Sequence, residues 1–447
     1  MKFRFASGVA QEADSVFAWH AQASAFPRLM PPWEGARLVA RSGTLEIGST
    51  VDLAVPVGPS TRAWRARITA VDPGRCFVDE QVVGPFRSWR HTHSFLSVAE
   101  GCQIVDEIDC QPPVPALTSG WVGRRIARAF AFRHRRTADD LARHAAWPPR
   151  RLRIAISGAG GFLGGELADF LSAGGHEVVR LVRAGGQRPG CLAWDPSAGL
   201  ADPSALSGFD AVVHLAGRTV GERWSSRVRR EIRDSRIGPT RRLCEQLAAL
   251  PAPPKALVCA SAIGIYGDRG ESVLDEDASP GAGFLAEVCS DWERACDPAR
   301  AAGIRVVHAR LGVVLGAAGG ALAKLVPPVR AGVAGRIGSG RQWLSWIAID
   351  DAVAALHHLV QSPLSGVVNV VAPEPVTNAG LMAALGAVLC RPTVLPLPAI
   401  AVRVAFGAMG QETLLASARV VPARLSAAGF TWRHGDLVEA LRHQLGR

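Results

Sequence analysis

Residues 153–183 read RIAISGAGGFLGGELADFLSAGGHEVVRLVR, an apolar run that breaks into glycines, resumes as a helix-forming stretch and closes with a second apolar run. The pattern predicts a buried strand, a tight turn, a helix and a second strand ending at Arg183. Gly158, Gly161 and Gly164 allow a sharp turn, a close approach to a pyrophosphate and tight packing of helix on strand. The helix N-terminus adds free N–H groups and the positive end of a dipole. Phe162 and Leu163 lie within the same turn, which reads as a dinucleotide site. Where an NAD enzyme carries an acidic residue for the ribose 2′-hydroxyl, this chain carries Arg183. A guanidinium there suits a 2′-phosphate and stacks on adenine, so the reading favours NADP over NAD, against the plainer alternative of a solvated surface arginine.

Downstream the chain alternates strand and helix, with strands expected at 153–157, 177–181, 211–215, 256–260, 305–309 and 367–371. That is the signature of an α/β, doubly wound parallel sheet, an NAD(P)-binding Rossmann fold. Upstream the pattern differs. A strand at 2–6 and a helix at 11–26 precede short runs at 36–45, 50–55, 62–71, 76–83, 86–98 and 103–109, and a long helix at 118–146 follows them. Such spacing argues for a curved antiparallel sheet closed by a helix. The segment Trp147-Pro148-Pro149-Arg150-Arg151 separates the two patterns, and proline there disfavours a continuing helix. Two domains and a tail are therefore expected: 1–148, 151–395 and 396–447.

At 447 residues and 48% apolar content the chain can bury more than one core. Nine cysteines without a CxxC pair suggest reduced thiols rather than a disulfide framework or a zinc site. No window is apolar enough to span a membrane and no leader pattern opens the chain, so a cytoplasmic protein without a membrane span is expected. The net charge of +11 is nearly all arginine, since Lys2, Lys255 and Lys324 are the only lysines. Arg124, Arg125, Arg128, Arg133, Arg135 and Arg136 share one expected helix. Acidic residues are interspersed and no aromatic-basic motif accompanies them, so no nucleic-acid partner is expected.

Trp89, His91, His93 and Phe95 alternate and so share one strand face. An HxH pair can ligate a metal, but no carboxylate or third histidine stands at a supporting spacing. A packed or cavity-lining row is the preferred reading, and no metal site is expected. Six of the twelve tryptophans fall between Trp19 and Trp147; most are expected in the core, with one or two lining a ligand pocket.

The order of elements over 1–148 resembles the helix-grip fold of START and polyketide-cyclase-like proteins, which implies an apolar pocket and a small, apolar ligand. The blocks AVVHLAGRTV, ERWSSRVRREIRDSRIGPT, SAIGIYGDRGESVLDED, GFLAEVCSDWERA, RVVHARLGVVLGAAGGAL, GRIGSGRQWLSWIAIDD and NVVAPEPVTN follow the glycine turn in order. Together they resemble the atypical extended short-chain dehydrogenase/reductase family, the NAD-dependent epimerase/dehydratase-like proteins, some of which carry an N-terminal helix-grip domain. The resemblance implies NADP(H) held by Gly158, Gly161, Phe162, Leu163 and Gly164, with Arg183 at the adenosine end and Leu215 and Ala216 against the cofactor. Glu231, Arg236 and Val314 are carried over as further contacts, and 396–447 as the family's helical extension. Trp346, Asp350 and Asp351 resemble an element that shapes the substrate side, although helix capping serves as well for the two aspartates.

The departures concern catalysis. The serine or threonine expected four residues before Tyr266 is Ala262, and Ser261 points to the opposite face of the strand. The YxxxK pair expected on the next helix is absent, where the chain reads Gly283-Phe284-Leu285-Ala286-Glu287-Val288-Cys289. Tyr266, the sole tyrosine, is expected to pack, which leaves Glu287, Cys289 and Asp291 as weak candidates and the catalytic residues unassigned. An oxidoreductase or epimerase acting on a small molecule is the leading expectation. The alternatives are a non-catalytic NADP(H)-sensing or scaffold protein and a hydrophobic-ligand-binding protein.

Overall fold

The computed structural model describes residues 1–183, 186 and 189–447, with the backbone alone at 115–117. The chain divides into two compact units. The first comprises Met1–Arg151, Asp169–His176 and His443–Arg447, and the second Leu152–Ala168 and Glu177–Arg442.

The first unit runs β1 (Lys2–Val9), α1 (Ala13–Ala21), α2 (Ala25–Arg28), β2 (Arg37–Ser42), β3 (Thr50–Val57), β4 (Ser60–Asp72), β5 (Cys76–Val83), β6 (Ser88–Val98), β7 (Gly101–Gln111) and α3 (Pro115–Ala145). Its seven strands form one antiparallel sheet in the order β1-β7-β6-β5-β4-β3-β2. The single helix expected at 11–26 is two. Gln22 is extended, and Pro27 falls in the first turn of α2, where a missing N–H costs nothing. In one continuous helix that ring would clash with the carbonyl of Ala23. Along β6 the alternation sends Trp89, His91, His93 and Phe95 to the buried face. Val122, Ile126 and Phe130 of α3 pack there with Trp89, Ile108 and Cys110.

The second unit contains β8 (Arg153–Ser157), α4 (Phe162–Ala173, whose last turn belongs to the first unit), β9 (Glu177–Val182), β10 (Cys191–Asp195), β11 (Gly199–Leu200), β12 (Ala211–His214), α5 (Ser226–Asp234), α6 (Ile237–Ala248) and β13 (Ala256–Ala262). Then come β14 (Val273–Leu274), α7 (Phe284–Arg294), α8 (Asp297–Ala301), β15 (Arg305–Leu311), β16 (Val313–Gly316), α9 (Gly320–Arg330), β17 (Trp343–Leu344), β18 (Trp346–Ala348), α10 (Ile349–Gln361) and β19 (Gly366–Val370). The main sheet has the order β11-β10-β9-β8-β12-β13-β15-β19 and is parallel except at the β10–β11 edge. Strands β12 and β13 are buried almost throughout, as a parallel sheet covered on both faces requires. The edge pair β10–β11 lies outside the six expected strands; β11 has only two residues, too few for a periodic signal.

Strand order reverses between β8 and β12, since β9 and β10 lie on one side of β8 and β13, β15 and β19 beyond β12. Doubly wound sheets bind ligands outside the carboxyl ends of the strands at such a reversal. There the glycine turn leaves β8.

Candidate functional site

Gly158 takes φ +73°, and a Cβ on it would come 2.8 Å from the backbone carbon of Leu215. Only glycine lets the turn lie this close to the end of β12. A Cβ on Gly164 would come 2.3 Å from the Gly158 carbonyl oxygen, so α4 starts directly against the turn. The Gly161 amide donates to the Gly158 carbonyl at 2.9 Å, while a Cβ on Gly160 would meet open space. The first N–H groups of α4 thus border a bare strip of backbone, which fits a pyrophosphate. Leu215 and Ala216 follow β12 directly and remain partly exposed beside it.

Arg183 directly follows β9 and is exposed, and among the described residues its guanidinium has no hydrogen-bond or ion-pair partner. Phe162 is a wedge: a Cβ on Gly316 or Gly319 would lie 2.6 or 2.7 Å from its ring, and Gly320 packs beside the Val314 carbonyl. Phe162 and the Val314 carbonyl thus both border Gly320, and Leu163 is half-buried. Glu231 makes ion pairs with Arg218 and Arg227. Arg236 donates to the carbonyls of Ile232 (3.0 Å) and Arg218 (2.8 Å) and stacks on Trp292, and burial lowers its pKa. Its guanidinium buttresses the loop at Gly217.

A polar chain that spacing alone does not reveal lies behind the turn. Ser157 and His214 occupy paired register positions at the ends of β8 and β12, and their Oγ and Nδ1 are 2.6 Å apart. His214 Nε2 is 2.9 Å from Thr240 Oγ1, which accepts from Trp292 Nε1 at 2.9 Å. Burial pushes the His214 pKa down to about 4, so the ring is a neutral tie between two strands and two helices.

The expected catalytic region is committed to structure. Ser261 donates to Glu293 at 2.7 Å, and Arg310 grips both Glu293 oxygens at 2.9 Å. Burial opposes the Arg310 charge, yet Glu293 outweighs it and holds the guanidinium above its ordinary pKa. Tyr266 is fully buried, accepts from Arg310 and lies 2.8 Å from Asn369 Oδ1. Glu287 is exposed, Asp291 pairs with Arg233 and Arg294, and burial pushes the Cys289 thiol up to about 11. Asp351 does not cap its own helix α10. Its two oxygens accept from the backbone amides of Arg433 and His434, and Trp346 Nε1 donates to the Glu374 carbonyl.

A second candidate site lies in the first unit. Between the concave sheet face and α3 is a cavity of about 450 Å³, a size suited to a small ligand. Its walls are apolar, from Leu53, Trp64, Phe86, Val122 and Phe130 among others, and three tryptophans, Trp64, Trp89 and Trp121, contribute. Arg133 lines it with no hydrogen-bond or ion-pair partner for its guanidinium among the described residues. His20 lines it too, donating from Nδ1 to the Val16 carbonyl, and burial lowers its pKa to about 4.

The carboxylates and third histidine that spacing failed to supply arrive through tertiary structure. His91 Nε2 lies 2.8 Å from Asp106 Oδ1 and its Nδ1 3.3 Å from Asp79 Oδ2. His93 Nδ1 lies 2.9 Å from Asp106 Oδ1 and its Nε2 3.0 Å from Asp79 Oδ2. His134 Nε2 reaches Asp106 Oδ2 at 2.6 Å, and its Nδ1 is 2.8 Å from Ser7 Oγ. Burial opposes charge on Asp79 and Asp106, yet the histidines outweigh it and hold both pKa values down.

Among the described residues no helix is long and apolar enough to cross a membrane. Three family profiles match the chain: polyketide cyclase / dehydrase and lipid transport at 9–134, NAD dependent epimerase/dehydratase at 154–371, and a domain of unknown function at 397–444. An epimerase family protein of Mycobacterium bovis is 45% identical over 66% of this chain and 98% of its own length. The human epimerase family protein SDR39U1 is 37% identical over 65% of this chain and 99% of its own. A crystal structure described as a nucleoside-diphosphate sugar epimerase from Corynebacterium glutamicum aligns with TM-score 0.83 and 32% identity, covering 99% of this chain and 90% of that one. Human SDR39U1 with NADPH aligns with TM-score 0.60 and 33% identity over 66% and 99%. The chain belongs to the NAD-dependent epimerase/dehydratase family, as an NAD(P)-binding epimerase family protein that carries a polyketide-cyclase-type domain at its N-terminal side.

Proposed function

We propose that this protein is an NADP(H)-dependent oxidoreductase or epimerase of a small molecule, with an apolar ligand pocket in its N-terminal unit. The observation that carries the cofactor preference is Arg183, exposed and unpaired among the described residues directly after β9. A fixed positive charge there recognises a 2′-phosphate and gains nothing from a 2′-hydroxyl. NADPH in the human relative's structure supports the same choice. When bound, the nicotinamide supplies or accepts a hydride. This chain's residues would hold it, the α4 amides at the pyrophosphate, with Gly158 and Gly164 keeping the strip bare and Leu215 and Ala216 bounding the cleft. Titration calorimetry with NADPH and NADH on wild type and Arg183→Ala tests the preference; equal affinity of wild type for both overturns it. NADPH oxidation across a panel of carbonyl compounds tests turnover.

A second reading, a non-catalytic NADP(H) sensor or scaffold, is favoured by the commitment of Ser261 to Glu293 and of Tyr266 to Arg310. Tight NADPH binding with no turnover across the panel would select it.

A further inference from the structure

We propose that Asp79, His91 and His93 form a divalent-cation site on the wall of the N-terminal cavity, with Asp106 and His134 as the outer groups that orient the imidazoles.

The case rests on counting donors. His91 and His93 present four ring nitrogens to two carboxylate oxygens, Asp106 Oδ1 and Asp79 Oδ2, at 2.8–3.3 Å. A neutral imidazole has one N–H and an ionised carboxylate none, so two neutral rings satisfy only two of the four contacts. With each ring donating to Asp106, His91 Nδ1 and His93 Nε2 become lone pairs aimed at the same oxygen of Asp79. In that neutral state three electron-pair donors converge with no proton between them, the arrangement a cation would fill. Ligand atoms of these three residues lie within 4.8 Å of one another, close enough to meet on one cation after small side-chain adjustments. Without a cation the contacts are met by charged rings: burial opposes the charge, yet Asp106 and Asp79 hold the His91 pKa above its ordinary value, at the cost of repulsion between rings whose centroids are only 3.7 Å apart, and a cation among the three ligand atoms takes the place of those protons.

The sidedness agrees. Asp79, His91 and His93 line the cavity, while Asp106 and His134 are buried and do not. Asp106 is itself fixed by His134, which Ser7 holds in turn. Metal-bound histidines commonly pass their second N–H to such an outer carboxylate, which sets ring orientation and tautomer. Two imidazoles and one carboxylate suit Zn²⁺ or Fe²⁺ and leave a coordination position toward the cavity. Arg133 lines the same cavity and opposes a cation, but two carboxylates outnumber it and His20 is neutral.

The test uses full-length protein stripped with a chelator and titrated with Co²⁺ or Zn²⁺ alone. The expected result is one cation per chain at this site, a Co²⁺ visible spectrum of four- or five-coordinate nitrogen/oxygen ligation, and its displacement by Zn²⁺. His93→Ala and Asp79→Asn should lose the spectrum, and Asp106→Asn should weaken binding by roughly 10- to 100-fold. Near-UV circular dichroism of the tryptophan-rich first unit separates lost ligation from lost fold. A wild-type chain with a native dichroism spectrum and no Co²⁺ ligation overturns the proposal, as does undiminished binding in His91→Ala/His93→Ala. An apolar fluorophore that enters the cavity of a chain taking no cation would sink the metal site and leave the pocket standing.

Discussion

Arg310 donates to the hydroxyl of Tyr266 at 2.9 Å while its Nε and Nη2 hold Glu293, so the chain's one phenol belongs to a buried structural network. Tyr266→Phe should therefore cost about 1–3 kcal/mol of stability by leaving an Arg310 N–H unmet. NADPH affinity should stay within about twofold, as should any turnover. A catalytic phenol would instead cost about 10²- to 10⁴-fold in kcat, so urea denaturation beside steady-state rates separates the roles.

Gly164→Ala should abolish measurable NADPH binding, because its Cβ would meet the Gly158 carbonyl at 2.3 Å. The turn has only backbone to move, and moving it spoils the amide strip. Gly160→Ala, whose Cβ meets nothing within 4 Å of protein, should keep the fold intact, and thermal melts of both variants check this. Wild-type affinity in Gly164→Ala would place the dinucleotide elsewhere.

Arg183→Ala should weaken NADPH by roughly 10- to 100-fold, the worth of a charge-assisted hydrogen bond of about 1.5–3 kcal/mol, and leave NADH nearly unchanged. Calorimetric Kd values for the two cofactors are the readout. Equal loss for both would make Arg183 a general support of the loop.

His214 should make the second unit acid-sensitive. Its folded pKa of about 4 lies below the unfolded value of 6.5, so the unfolded chain takes up the proton first as pH falls. The contribution is complete above pH 6.5 and declines toward pH 4, by about 3 kcal/mol for a shift of that size. Urea denaturation at pH 7 and pH 4.5 should show a smaller loss in His214→Gln than in wild type. Comparing the two chains cancels His20 and His144, whose pKa values are also lowered to about 4 by burial. Parallel losses would assign the acid sensitivity to other groups.

Arg133 should select acidic ligands for the cavity. In chelator-stripped protein a long-chain carboxylate should bind more tightly than the alcohol of equal length, and Arg133→Ala should remove that difference while sparing the alcohol. Displacement of an apolar fluorophore measures both, and equal affinities in wild type would leave Arg133 without a ligand role.

The glycine turn was legible because its chemistry is local. Gly158, Gly161 and Gly164 sit within one strand-turn-helix unit, so their spacing already carries the backbone geometry that a pyrophosphate needs. The position of Arg183 at the end of β9 was legible for the same reason, lying one residue past a strand. Ser157 and His214 were not, because 57 residues separate them and only the β8–β12 register joins their side chains. Glu231 and Arg236 show the converse limit: resemblance placed them near the cofactor, while their partners Arg218, Arg227 and Ile232 are visible only once the chain is folded.

The sequence by itself determined the parallel sheet and the glycine turn that leaves its first strand, since strand and helix periodicity and a glycine turn are properties of neighbouring residues. Tertiary structure alone decided the polar side of the N-terminal cavity. His91 and His93 announce one face of one strand, but Asp79, Asp106 and His134 reach them from β5, β7 and α3. Which distant side chains converge is set by sheet register and helix packing, and no spacing along the chain encodes it.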